Sequence, residues 1–93
     1  MKEFQWDPLK NELLKQERGI SFEEVVVSLN SGPPIDYSVH PNQKKYRNQM
    51  MYKILIRDYV YLVPCIRKGE VEFLKTIIPS RKATKDYFKN NKK

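Results

Sequence analysis

A chain of 93 residues has room for a single domain over 1–93, and a TIM barrel or a full doubly wound sheet needs roughly twice that length or more. Aromatic residues at 12 % and apolar residues at 40 % argue for a packed core and against a disordered chain. Charge is the other constraint: the net value of +7 is unevenly spread. Residues 1–40 carry four Lys/Arg against seven Asp/Glu, net −3, whereas residues 41–93 carry fourteen against four, net +10. A basic half of this kind suits a polyanion, because each phosphate neutralised by Lys or Arg releases condensed counterions. A merely solvated surface ending in a frayed basic segment, 89–93, is the competing explanation.

Cys65 is the only cysteine, so no intramolecular disulfide can form and a reducing compartment is favoured. No apolar run reaches the roughly 18–20 residues of a membrane span, and the first eight residues lack the apolar centre of a signal peptide. These features predict a cytoplasmic protein that does not engage the membrane.

In chain order, Phe4 and Trp6 alternate with Glu3 and Gln5 as in a short strand. Asp7-Pro8 supplies an N-cap and a first-turn proline, Leu9, Leu13 and Leu14 form an apolar stripe, and Gly19 ends the helix. Ser21 and Glu24 form a capping box for a second helix, whose buried face is Phe22, Val25, Val26 and Leu29 and which Asn30-Ser31-Gly32-Pro33-Pro34 terminates. Ile35, Tyr37 and Val39 alternate with polar residues as a half-buried strand, and 40–48 reads as a polar loop. From Met51 onward three strands are expected, 51–57, 59–66 and 71–78, with turns near Arg57-Asp58 and at 67–70. Pro64 inside the second of these suggests an edge or a bulge, since it has no N–H to give to a ladder. Ser80 or Thr84 can cap a last helix over 81–90 with Ala83, Tyr87 and Phe88 as its apolar positions. The order β-α-α-β-β-β-β-α predicts an α+β fold, an antiparallel sheet with helices packed against it.

Three segments in this order resemble one family. Trp6-Asp7-Pro8-x-Lys10, Arg18-Gly19-Ile20-Ser21-Phe22-Glu23-Glu24-Val25 and Ile77-Ile78-Pro79-Ser80-Arg81-Lys82-Ala83-Thr84 are similar to the corresponding motifs of BrnT-type toxins from bacterial type II toxin–antitoxin modules. Length and element order agree over nearly the whole chain. The chain departs from the pattern at Arg18, where the family has His, at Thr76, where an Arg often stands, and at Pro79-Ser80, which replaces Ser-Ala. The resemblance implies a RelE-like fold, a ribonuclease activity that inhibits translation with or without the ribosome, and a cognate antitoxin as the neutralising partner.

One His, one Cys and unclustered carboxylates do not assemble a zinc or two-metal site, and no glycine-rich phosphate loop is present. Neither a metal nor another cofactor is expected. RNA needs none, because its own 2′-OH can attack the phosphate if the protein supplies a base, a cation and an acid. Arg81 matches the family's arginine and opens the last helix, where a guanidinium beside helix N–H groups suits a phosphate. His40 is the one side chain whose ordinary pKa fits acid–base work near neutrality, and Tyr87 is a candidate proton donor or base-stacking ring. Lys44, Lys45, Arg47, Lys75 and Lys82 are candidate RNA contacts. The plainer alternatives are a solvated histidine, a structural or solvated arginine, and a tyrosine used in packing. Tyr59 and Tyr61 share a strand face that fits either base stacking or ordinary sheet surface, and Cys65 reads as core. A binding toxin without catalysis, directed at RNA, the ribosome or DNA gyrase, is the rival function.

Overall fold

The computed structural model describes residues 3–90. Its first helix, α1 (Pro8–Arg18), starts where the Asp7 carboxylate accepts from the Leu9 backbone N–H at 2.9 Å. It stops at Gly19, whose φ of 65° lets its N–H reach back to the Lys15 carbonyl at 3.1 Å, a left-handed cap for which a Cβ would be a penalty. The second, α2 (Phe22–Ser31), opens on the reciprocal Ser21–Glu24 capping box. Both signals are local and both act as the sequence predicts.

The apolar stripe of α1 does not pack as expected. Leu14 is buried, but Leu9 is 76 % and Leu13 49 % exposed. The buried polar residue in their place is Asn11, which accepts from the Phe22 N–H at 2.8 Å and donates to the Glu23 carboxylate at 2.8 Å. Asn11 therefore joins the flank of α1 to the first turn of α2, and its donation holds the Glu23 carboxyl below the ordinary value. The orientation that pairs the Asn11 amide, which unpaired and buried would cost about 1–3 kcal/mol, is the one that leaves Leu9 and Leu13 outward.

The strands are β1 (Glu3–Trp6), β2 (Asp36–Val39), β3 (Gln49–Ile56), β4 (Tyr59–Lys68), β5 (Val71–Leu74) and β6 (Ile78–Pro79), followed by α3 (Arg81–Asn90). They form one sheet in the order β1-β5-β4-β3-β2, with β6 pairing β4. The sheet is mixed, which corrects the antiparallel expectation: β1 runs parallel to β5, with Glu3 opposite Val71 and Trp6 opposite Leu74. The remaining pairs are antiparallel. The expected strand 71–78 is also two pieces, since the chain leaves β5 after Leu74 and returns to β4 only at Ile78.

Pro64 is in the middle of the sheet, not at an edge, with Met51 opposite it on β3. Its carbonyl accepts from the Lys75 N–H at 2.8 Å. Amide and carbonyl of a strand residue point the same way, so the missing N–H falls in the interval between the end of β5 and the start of β6. The bond the proline forfeits is the reciprocal one to the Lys75 carbonyl, just past the last residue of β5.

Period-2 alternation assigns the faces. Leu14, Ile20, Phe22 and Val25 pack on Tyr52, Ile54, Val63, Cys65 and Leu74, with Ile77 completing the cluster and Trp6 stacked on Phe22 at 5.7 Å. Val60, equally buried, lies outside this cluster. Its N–H donates to the Thr84 hydroxyl at 2.9 Å and its C=O accepts from the Ser80 N–H at 3.0 Å, so α3 is anchored at the start of β4. Ser80, not Thr84, caps that helix, accepting from the Ala83 N–H at 3.1 Å. The helix includes Lys89 and Asn90; the remainder of the basic end, 91–93, lies outside the described residues.

The turn between β3 and β4 needs left-handed backbone at both of its residues. Arg57 and Asp58 have φ of 50° and 64°, the two-residue hairpin geometry that matches strand twist. The Arg57 side chain compensates by donating to the Gly19 carbonyl at 2.9 Å and to the Glu24 carboxylate, which ties the β3–β4 hairpin to the α1–α2 connection. Among the described residues the result is an α+β fold of three helices and a mixed sheet of six strands, in which no helix is long and apolar enough to cross a membrane.

Candidate nucleic-acid interface

The capping of α3 by Ser80 and the docking of Thr84 on Val60 fix which side of the helix faces out. At about 100° per residue, Arg81, Lys85, Lys89, Lys82 and Asp86 fall within about 140° of one another. These five line a shallow groove of about 670 Å³ along the helix. Arg81, Lys82, Lys85 and Lys89 are all exposed, so the groove presents four cations against one carboxylate. Tyr87 lies on the other side of α3, half-buried, its ring edge-on to Phe88 at 5.2 Å. It does not share a face with Arg81.

The loop after β2 carries the second group of predicted residues. The His40 N–H donates to the Gln49 carbonyl at 2.9 Å, and the Asn42 N–H donates to His40 Nδ1 at 3.1 Å. That acceptor role leaves Nε2 as the protonated nitrogen of the neutral ring. Gln43 Nε2 donates to the His40 carbonyl at 2.7 Å, and Tyr46 packs on the imidazole at 4.5 Å between ring centres. Lys44, Lys45 and Arg47 are exposed around this scaffold, with Lys45 Nζ 5.3 Å from the Tyr46 ring.

His40 and Arg81 are not brought together. His40 is bonded to Gln49 at the start of β3, whereas Ser80 is bonded to Val60, which pairs with Leu55 near the far end of β3. Six residues of strand separate the two positions, about 20 Å. Lys75 is in neither group: it follows β5, is exposed, and rests its Nζ 5.9 Å from the Phe73 ring. Nor does it share a face with Ile77, which turns into the core after the strand has ended. Tyr59 and Tyr61 contact each other at 5.6 Å, and Tyr61 packs against the core.

The sequence reading missed one polar cluster. Glu72 is completely buried, and its two carboxylate oxygens accept from the hydroxyls of Tyr37 and Tyr52. Cys65 Sγ lies 4.0 Å from the same carboxylate, and the Tyr37 and Tyr52 rings are 4.4 Å apart. Burial, then the Glu72 charge, pushes the Tyr37 hydroxyl up to about 12 and raises that of Tyr52 for the same reasons. The usable signal was parity: on β5, Glu72 shares its face with Leu74, and Arg67 is directly opposite it on β4.

Arg67 lines an open cavity of about 710 Å³ between the loop after β2 and the β4–β5 hairpin, and its Nε donates to the Gly69 carbonyl in the turn of that hairpin at 3.5 Å. Lys68, Gln43, Asn48 and Gln49 line it as well. His40 is bonded to Gln43 and Gln49 at the rim, so the structure groups it with Arg67 and Lys68. Among the described residues, no three or more His, Cys, Asp or Glu side chains come together as a set of metal ligands. Compared with known protein families and with curated proteins, the chain matches none.

Proposed function

We propose that the chain is the toxin of a toxin–antitoxin pair, that it acts on RNA without a metal ion, and that a cognate antitoxin silences it. The observation that carries the RNA half of this reading is the outward face of α3, where Arg81, Lys82, Lys85 and Lys89 form one row. Such a row tracks a phosphate backbone and confers little base preference. Arg81, in the first helical turn, is the phosphate anchor, since its guanidinium can bind two oxygens at once. The toxin half rests on the three motif segments and their order. In this reading the RNA 2′-OH is the nucleophile and His40 is the acid–base group, acting on a part of the strand about 20 Å from the one held by Arg81. RelE-like architecture, translation arrest, cytoplasmic location and action on or off the ribosome belong to the same proposal.

The separation of His40 from Arg81, and the placement of Tyr87 away from both the groove and His40, favour a second reading. Here the basic face occupies RNA or a ribosomal surface without cutting it.

The experiment is incubation of the purified chain with total RNA in EDTA, wild type beside Arg81→Ala and His40→Ala, with growth arrest on expression followed in parallel. Cleavage by wild type that Arg81→Ala and His40→Ala both lose is the expected result. Intact but bound RNA, with binding lost in Arg81→Ala, selects the second reading. Full toxicity of a folded Arg81→Ala variant, or no RNA binding by wild type, refutes the RNA assignment.

A further inference from the structure

We infer that the cavity between the loop after β2 and the β4–β5 hairpin holds one nucleotide of a single RNA strand, phosphate toward Arg67 and Lys68 and base toward Tyr37 and the amides of Gln43, Asn48 and Gln49. The inference deepens the RNA reading above and rests on it for the choice of ligand. Its own support is the construction of the cavity. A volume of about 710 Å³ lies within the range of small-molecule sites, roughly 300–1,000 Å³.

The charge of the lining selects the ligand's sign. Among the described residues no carboxylate lines the cavity, and Glu72 behind Tyr37 is fully buried with its oxygens taken by Tyr37 and Tyr52, so it does not face the ligand. What faces the ligand is Arg67 and Lys68, both exposed on the hairpin. The remaining polar lining selects a nucleotide over a simple anion or an acidic peptide. Gln43, Asn48 and Gln49 are amides, each with donors and an acceptor, which match the mixed edge of a base; a carboxylate would be served by donors alone. One of the three is fixed by the backbone around it: Gln43 Nε2 donates to the His40 carbonyl at 2.7 Å.

Glu72 acts here as a positioning residue. Its bond to the Tyr37 hydroxyl, together with the ring contact to Tyr52 at 4.4 Å, holds the Tyr37 ring as a fixed wall. A wall that loses no rotamer freedom on binding gives more affinity per contact than a mobile one.

The test is a two-dimensional amide NMR titration of the full chain with the four ribonucleoside 5′-monophosphates, inorganic phosphate, and a short oligoglutamate, with a single-stranded RNA oligomer in parallel. We expect at least one mononucleotide to shift the signals of Gln43, Asn48, Gln49 and Lys68, with inorganic phosphate at least tenfold weaker. Arg67→Ala and Lys68→Ala each weaken that mononucleotide tenfold or more; Lys68→Ala covers the case in which loss of the Arg67–Gly69 bond disturbs the hairpin. Gln43→Ala narrows the preference among the four bases. Equal shifts from inorganic phosphate, or saturation by oligoglutamate but not by nucleotides, overturn the inference. So does an RNA oligomer that binds through α3 while no mononucleotide shifts the cavity, an outcome that leaves the RNA reading standing. Mononucleotide shifts without any binding of the RNA oligomer overturn both the RNA-toxin reading and the assignment of the cavity to a strand.

Discussion

Replacing Tyr52 by Phe removes one oxygen atom and little else. The ring keeps its contacts with Tyr37 at 4.4 Å and Phe4 at 6.5 Å, so no cavity opens. What is lost is one of the two hydroxyls that satisfy Glu72, at a site where Tyr52 is 3 % exposed and Glu72 not at all. A hydrogen bond to a charged group contributes about 1.5–3 kcal/mol, and burial removes the water that would otherwise replace it. Tyr52→Phe is therefore expected to cost about 2–3 kcal/mol, a large share of the roughly 5–15 kcal/mol that holds a domain together. For a chain of this size that is a fall in Tm of roughly 10–20 °C. Tyr37 donates to the same carboxylate but is half-exposed, so water can take the place of its hydroxyl and Tyr37→Phe should cost about 1 kcal/mol. The double variant should depart from the sum by 0.5 kcal/mol or more, as about that size of coupling is usual for two donors on one acceptor. Urea unfolding followed by far-UV circular dichroism reads all three, provided the slopes agree. A loss below about 0.5 kcal/mol for Tyr52→Phe, or a greater loss for Tyr37→Phe than for Tyr52→Phe, would refute the account of Glu72 as a buried, tyrosine-bound carboxylate.

The same cluster has a signature at alkaline pH. Tyr37 binds its proton more tightly in the folded state than its ordinary pKa of 10 allows, so the stability it contributes is whole below pH 10 and is lost as pH rises toward about 12. Absorbance titration of the six tyrosines should show a late phase that Tyr37→Phe and Tyr52→Phe each diminish; an unchanged late phase contradicts the assignment. Asn11→Ala strands the Phe22 N–H and releases the Glu23 carboxylate, and should cost about 2–3 kcal/mol in chemical denaturation. Asp58→Gly relieves a side chain held at φ of 64° and should stabilise by about 0.5–1 kcal/mol. A destabilised Asp58→Gly variant would mean that the carboxylate makes a contact worth more than the strain.

Signals that act within a few residues were legible in the sequence. Asp7, Gly19 and the Ser21–Glu24 pair mark α1 and α2 because a cap is a bond between neighbours, and Arg57-Asp58 marks a hairpin because strand alternation resumes on both sides. Glu72 was not legible: its partners are 35 and 20 positions away, and one carboxylate among Val71, Phe73 and Leu74 carries no mark of being buried. The parallel pairing of β1 with β5 was hidden for the same reason, since a four-residue strand states its face but not its neighbour. Leu9 and Leu13 misled because periodicity counts apolar residues and ignores that Asn11, with two bonds to make, decides which side of the helix is inside. For the candidate site, the residue types were legible and their grouping was not. Arg81 stands with the lysines of α3, and His40 with Arg67 and Lys68, because register along β3 sets those distances.

The β1–β5 pairing also has a consequence for synthesis. Glu3 and Val71 are 68 positions apart (71 − 3), so at roughly 5–20 residues per second β1 waits about 3–14 s on the ribosome for its partner to be made. During that wait Phe4 and Trp6 have no sheet to lie on. The Trp6–Phe22 stack needs only sixteen residues of chain (22 − 6), together with α1 and its Asn11 bonds to the start of α2. It can shelter the indole early, leaving the long loop from β1 to β5 to close when the hairpin of β4 and β5 arrives. Closure of that loop belongs to the slow, non-local class of folding events, and the order of synthesis places it among the last.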